Sequence, residues 1–426
     1  MNQEVLILLG AVAAAYLIAH FVVEWLQDRF LFTTGSEYML IGVLVGPSTH
    51  AVLTENTGLN LPQFVSEGAV LQLTPLMELA IGWVGLLYGA QLDLGRLLGS
   101  RDGSLSLSTL SSVTSFALIG GATWLGLSWL PLGLELSERS QWLAAATLGT
   151  VGAVTSPAVL DLVQRRFNAS GPTTRMLRQA LRLDELAAIT GFGLLSALFH
   201  SQADINGHPL DATHWFVVSV MLGGLLGALF HFFIGEEHNT EKQFMAFVGI
   251  VVFASGSAYY LELSPLLMNM VLGVAMVNVT DDSTEDVIAV LESTRRPMYI
   301  LLLFFAGAMW VPVGWMGLLL ALGYVLIRNL GVFVGGFVAA VSQGEGHRRD
   351  MGRALLGQGE LAVAMALNFY LVFKDDPLAD LVFTAVLVSV LLNELWSTRL
   401  LRGLLIDSGD IRHELATQDG AVAEGT

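Results

Sequence analysis

The chain has 426 residues, of which 54% are hydrophobic and only 13% charged, whereas soluble globular chains carry about a quarter charged residues. That composition excludes an ordinary soluble domain, and the absence of cysteine excludes disulfides and thiolate metal sites. The formal net charge of −17 says little until each sign is placed relative to a bilayer.

Windows of about 20 apolar residues are long enough to cross a bilayer, and roughly thirteen occur. In chain order they are Val5–Trp25, Glu37–Leu53, Val70–Leu92, Ser106–Leu130, Trp142–Val163, Leu177–Leu198, Trp215–Ile234, Phe244–Leu261, Pro265–Val279, Met298–Val311, Trp315–Val341, Met351–Phe373 and Leu381–Leu401. The second, ninth and tenth are short. The first has no basic segment before it and no small-residue cleavage site, so it reads as a span and not as a removed signal. The fold class expected is an all-α polytopic membrane protein, with a transmembrane domain over residues 1–405 and an acidic tail over 406–426.

Charge placement tests the count independently. With the C-terminus cytoplasmic, Arg29, Arg96, Arg101, Arg165, Arg166, Arg175, Lys242, Arg295, Arg296, Arg348, Arg349, Arg353, Arg399, Arg402 and Arg412 fall inside, and only Arg139 and Lys374 fall outside. An odd count puts the N-terminus outside. The expected location is the inner (plasma) membrane, multi-pass.

Ionisable side chains within spans are costly and mark function. Asp184 and Glu185 lie about two turns into the sixth span. Two adjacent carboxylates in a low dielectric do not both ionise easily. Such a group binds a proton or a cation but not both, which is the chemistry of exchange. The alternative is that Arg178 or Arg182 neutralises the pair structurally. Arg328, deep in the eleventh span, is a fixed positive charge. It needs a partner, and Glu360, Asp184 and Glu185 are the candidates, for chemistry or for a purely structural ion pair.

Two spans are interrupted. The fifth reads Gly149–Thr150–Val151–Gly152–Ala153–Val154–Thr155–Ser156–Pro157, and the twelfth Gly357–Gln358–Gly359–Glu360. Pro157 removes a backbone donor and frees a carbonyl. Broken helices at matching places in two halves point to a transport site, because freed carbonyls and helix ends hold ions. The breaks fall in the fifth of spans 1–6 and the fifth of spans 8–13, as an inverted repeat requires, and Asn393–Glu394 stands in the second half where Asp184–Glu185 stands in the first. The alternative is that glycine and proline here serve close packing. His20, Glu78, Asp93 and Asp161 have weaker claims, with Glu78 read as a hydrogen-bonded structural acid. His200 and His347 read as solvated. No nucleotide-binding, zinc or hydrolase motif is present, so neither a cofactor nor an enzymatic activity is expected, and no nucleic-acid partner.

These residues resemble the monovalent cation–proton antiporter superfamily, closest to its second branch of bacterial sodium–proton and Kef-type potassium–proton exchangers. The likeness runs from the first span to about Leu401. It rests on Leu40–Ile41–Gly42–Val43–Leu44–Val45–Gly46–Pro47, on Leu86–Leu87–Tyr88–Gly89–Ala90–Gln91–Leu92–Asp93, and on Ser264–Pro265–Leu266–Leu267 with Gly273. Phe304–Phe305 with Gly307 and Gly357–Gln358–Gly359–Glu360–Leu361–Ala362 complete it.

The resemblance implies an inverted-repeat fold with two crossed broken helices. A core domain of spans 4–6 and 11–13 would move against a dimer-forming domain of spans 1–3 and 8–10. It implies exchange of protons for Na⁺ or K⁺ by alternating access in a homodimer. Glu185 takes the place of the family's ion-carrying acid, Asp184 that of its variable neighbour, and Arg328 that of a core lysine or arginine. Thr155 and Ser156 join the acids as ion- or proton-binding candidates, with Arg328 and Glu360 as charge-compensating residues and Pro157, Gln358 and Gly359 as the broken-helix residues.

The chain departs from the family pattern in three ways. Glu185 replaces the usual aspartate, Thr155–Ser156–Pro157 stands where many members have Thr-Asp-Pro, and no nucleotide-sensing domain follows the spans. An arginine at 328 does not release a proton, which favours electroneutral exchange, whereas two acids at 184–185 argue the other way. Other readings of the same architecture are a solute symporter and a non-transporting sensor or membrane subunit.

Overall fold

The computed structural model describes residues 3–18, 35–57, 65–92, 103–129, 136–200, 204–205, 208–209, 211–234, 240–279, 284–344 and 348–411. The expectations for His20, Asp93 and His347, and for the acidic tail beyond residue 411, lie outside these residues. The first half contains α1 (Gln3–Ile18), α2 (Ser36–Val45), α3 (Pro47–Thr57), α4 (Glu67–Leu71), α5 (Thr74–Ala90), α6 (Ser104–Trp129), α7 (Glu138–Ala153), α8 (Pro157–Phe167) and α9 (Pro172–Leu198). After a two-residue ladder of Asp204–Ile205 with His208–Pro209 come α10 (Ala212–Ile234), α11 (Thr240–Tyr260), α12 (Pro265–Val279), α13 (Thr284–Ala308) and α14 (Gly314–Ser342). A 3₁₀ turn (Met351–Ala354), α15 (Gly359–Phe373) and α16 (Ala379–Asp407) complete the described chain.

Among the described residues, five segments are long and apolar enough to cross a membrane: Ser104–Trp129, Glu138–Phe167, Ala212–Phe232, Gly314–Ser342 and Ala379–Asp407. Shorter apolar helices accompany them at Leu6–Leu17, Ser36–Val45, Phe244–Tyr260, Pro265–Asn278 and Gly359–Phe373. With 27 residues α9 falls within the 21–30-residue range of the five, but it carries Arg182, Asp184 and Glu185 along its length. The second expected span is two helices. Gly46 is extended and Pro47 opens α3, whose sequence is polar; proline offers no amide to continue α2.

The helices form two packing groups. In one, α6 packs on α7, α9 and α14, and α16 packs on α14 and α15. In the other, α5 packs on α11, α12 and α13, and α13 packs on α2. The seam between α5 and α12 is a backbone contact: a side chain at Gly85 or Gly89 would collide with the carbonyls of Leu266 and Met270. Small residues that let helix backbones touch are the usual means of helix packing in lipid.

Candidate functional site

The two interruptions expected from sequence meet. Helix α7 ends at Ala153, residues 154–156 are non-helical, and Pro157 starts α8, whose cap is the Ser156 hydroxyl accepting from the Ala158 amide at 3.2 Å. Opposite, residues 355–358 are non-helical between the 3₁₀ turn and α15. The first half of the twelfth expected span is therefore a single tight turn. The Ser156 amide donates to the Gly357 carbonyl at 2.8 Å, and this bond joins the two breaks. Gly359 has φ +65°, and a Cβ there would collide with the Ser156 side chain, so the position suits only glycine. Gln358 spans the crossing. Its Nε2 donates to the Val151 carbonyl at 3.2 Å, and its Oε1 accepts from Ser389 Oγ at 2.6 Å.

Arg328 is fully buried at this crossing and pairs with none of Glu360, Asp184 or Glu185. Its guanidinium donates to the carbonyls of Gly152 (3.1 Å), Val154 (3.1 Å), Leu355 (3.4 Å) and Leu356, and to Asn329 Oδ1 at 3.4 Å. The expectation of a carboxylate partner is corrected. The breaks leave carbonyls without helical partners, helix C-termini carry partial negative charge, and the planar five-donor fork of arginine satisfies four of them at once. Glu360 finds Arg295 instead, at 3.3 Å.

Asp184 and Glu185 are both buried, at 2% and 3% exposure, in different surroundings. Asp184 Oδ1 accepts from Ser108 Oγ (2.5 Å) and Ser112 Oγ (2.9 Å), and its Oδ2 accepts from Thr155 Oγ1 (2.6 Å). Glu185 has Oε1 buried without a hydrogen-bond partner. The Tyr88 hydroxyl faces it, and the charges of Glu360, Arg295 and Arg182 act on it. Neither Arg178 nor Arg182 forms an ion pair with either acid. Thr155 thus meets Asp184 alone, whereas Ser156 serves the helix cap and the crossing.

A cavity of about 510 Å³ opens on the arginine-rich side between the packing groups. It is lined by Asp161, Arg165, Arg295, Arg296, Glu360 and Glu394 among its charged residues, and by Ser156, Gln358 and Gly359 at the crossing. Tyr299, Glu360 and Arg295 belong both to its wall and to the surroundings of Glu185.

The sequence model of the family described as "Sodium/hydrogen exchanger, transmembrane" matches residues 14–403. The chain belongs to the sodium/hydrogen exchanger family. A search of curated proteins finds no match. Among solved structures, the sodium proton antiporter MjNhaP1 from Methanocaldococcus jannaschii at pH 8 is similar, with a TM-score of 0.65 at 17% identity. The match covers 95% of this chain and 100% of that one. An electron-microscopy map of the same antiporter gives a TM-score of 0.59 at 16% identity, over 95% and 97%. The fold class is therefore that of these antiporters, and membership of the exchanger family makes the chain a multi-pass membrane transporter that exchanges a cation for protons, not an enzyme.

Several residues around the acids in this exchanger escaped the sequence reading. Ser108 and Ser112 left a signal in the serine run of α6, where Ser104, Ser108, Ser111 and Ser115 are all buried. Tyr88 and Tyr299 look like ordinary aromatic residues of apolar helices, and Arg295 reads only as an inward-facing charge. Two weaker expectations also change. Glu78 is buried but its Oε2 has no partner, and His200 is packed, stacking on Trp215 at 4.0 Å and meeting the Leu261 carbonyl at 2.9 Å.

Proposed function

We propose that the protein exchanges Na⁺ for protons by alternating access, with Glu185 as the group that takes up the proton or the cation in turn. The observation that carries this reading is the buried Glu185 Oε1 with no partner. A buried carboxylate oxygen left alone is costly, and a proton or a cation relieves that cost. Asp184, already held by three hydroxyls, tunes the site from the other side of the helix.

In this reading the C-terminus is cytoplasmic, and the cavity opens inward. The group built on α6–α9 and α14–α16 is the moving domain, and the group built on α1, α2, α5 and α11–α13 makes the homodimer. Exchange is electroneutral. Arg328 is committed to backbone carbonyls and holds its proton throughout, so only Glu185 alternates between its ligands. A cavity with six charged residues in its wall supports an inorganic ion over an apolar organic solute.

Solid-supported membrane electrophysiology on proteoliposomes, together with a pH-dye assay, tests the proposal. Na⁺ pulses are expected to produce proton movement without net current, K⁺ pulses much less, and Glu185→Gln none. Absence of cation-dependent proton movement with Na⁺, K⁺ and Li⁺ at every pH would overturn the exchange reading. A K⁺ response equal to that of Na⁺ would overturn the selectivity.

A further inference from the structure

We propose that an arginine-lined pocket between α8 and α9, beside the ion site but separate from it, binds an anionic phosphate group. Two adjoining cavities of about 450 and 360 Å³ lie there and share Gln164 and Arg178 in their walls. The first is also lined by Asp161, Arg165 and Arg182, the second by Ser170, Gly171, Thr174 and Arg175. Arg175, Arg178 and Arg182 follow one another at spacings of three and four residues, which places them on one face of α9. Arg165 reaches the same space from the last turn of α8.

Four guanidinium groups here face two carboxylates, Asp161 in the wall and Asp410 at the start of α9, and none of the four makes a salt bridge with a described residue. Arg178 Nε and Gln164 Oε1 are buried without a hydrogen-bond partner. The orphaned Arg178 Nε is a donor and points to a missing anion, which the Gln164 side chain meets through its amide NH₂ and not through its oxygen. The helix end itself is taken: the Asp410 carboxylate accepts from both the amide and the hydroxyl of Thr174 at 2.7 Å. The ligand is therefore held by side-chain guanidiniums. A planar fork of N–H donors matches a phosphate in bidentate fashion, and basic pockets between transmembrane helices are suited to lipid head groups.

The location gives the anion a consequence. Arg182 lies one turn before Glu185 and its charge acts on it, and Arg165 and Asp161 also line the cavity that leads to the crossing. Uncompensated arginines there repel an approaching cation, and a bound phosphate offsets them. The phosphate belongs either to an anionic phospholipid or to a soluble ion, and the experiment separates the two.

The full chain is delipidated in neutral detergent and studied in two arms. Native mass spectrometry follows retention of phosphatidylglycerol against phosphatidylcholine. Thermal unfolding follows inorganic phosphate against chloride at equal ionic strength. Wild type is expected to bind one probe, lipid retention identifying the membrane source and a phosphate-dependent rise in Tm the soluble one. Arg165→Gln and Arg178→Gln are expected to weaken that binding about tenfold each, the scale of a lost charge-assisted pair. Arg178→Lys, which keeps the charge but not the fork, falls between and serves if the glutamine variant does not fold. Arg349→Gln, an exposed arginine outside the pocket, leaves binding unchanged. Binding of neither probe by wild type, or an equal loss in Arg349→Gln, would overturn the site. The readout is binding and not transport, so its failure is distinct from a failure of the Glu185 assignment.

Discussion

Asp184 and Glu185 are adjacent in sequence, yet one residue step turns about 100° around a helix and delivers them to different chemistry. Asp184 faces the serines of α6 and the break after α7, and both its oxygens accept from hydroxyls. Glu185 faces Tyr88 and the Arg295–Glu360 pair, and one of its oxygens has no partner. Polar chemistry inside a low-dielectric interior is favourable when fully satisfied and unstable when it is not. The satisfied acid is therefore suited to hold geometry, and the unsatisfied one to exchange ligands.

The sharpest way to break this contrast is Glu185→Gln. Transport is expected to fall below detection in a proteoliposome pH assay, with folding intact by size-exclusion profile. Wild-type exchange in this variant would reverse the roles of the two acids. Arg328→Met comes next. It strands the carbonyls of both breaks, each costing about 1–3 kcal/mol, and a large drop in Tm is the expected result. An unchanged Tm would mean that the crossing does not depend on the guanidinium.

Asp184→Asn should slow exchange roughly tenfold, the scale of one charge-assisted hydrogen bond, because an amide only partly matches three hydroxyl donors. Loss as complete as in Glu185→Gln would erase the contrast. Ser108→Ala removes one donor of three and should slow exchange less than Asp184→Asn, read in the same assay.

The smallest expected effect lies away from the acids. Arg348 bonds Asp350 at 2.9 Å and holds its carboxyl below the ordinary carboxylate range. Arg353 ties Asp350 to Asp407 at the end of α16. A lowered folded-state value stabilises the protein at pH above the ordinary aspartate value of about 4. That contribution disappears as pH falls through the lowered value. Tm measured against pH should therefore show a shallower acid limb in Asp350→Asn than in wild type, by a modest amount because the group is partly exposed. Parallel acid limbs would show that the tie contributes nothing.

Much of this was legible in the residues. Pro157 and the Gly357–Gly359 run marked both breaks, and the motif order indicated the family before any geometry was known. The serine run of α6 was visible but ambiguous, since serines also serve close helix packing in lipid. The second span misled because length and hydropathy do not register that Pro47 restarts the helix. Arg328 misled for a different reason: charge seeks charge in a sequence reading, whereas backbone carbonyls are invisible to it.

The sequence by itself determined that the chain is a helical membrane protein, where its fifth and twelfth spans break and which acids lie within the helices. Apolar length, proline and glycine act locally and leave their mark at their own positions. Only the tertiary structure decided which acid is satisfied and what Arg328 holds. Asp184 takes its hydroxyls from 76, 72 and 29 residues away, and Arg328 takes its carbonyls from 176, 174, 28 and 27 residues away. Those distances close only when α6, α7, α9 and α14 pack around the crossing, and the rotation of α9 between them sets Asp184 apart from Glu185.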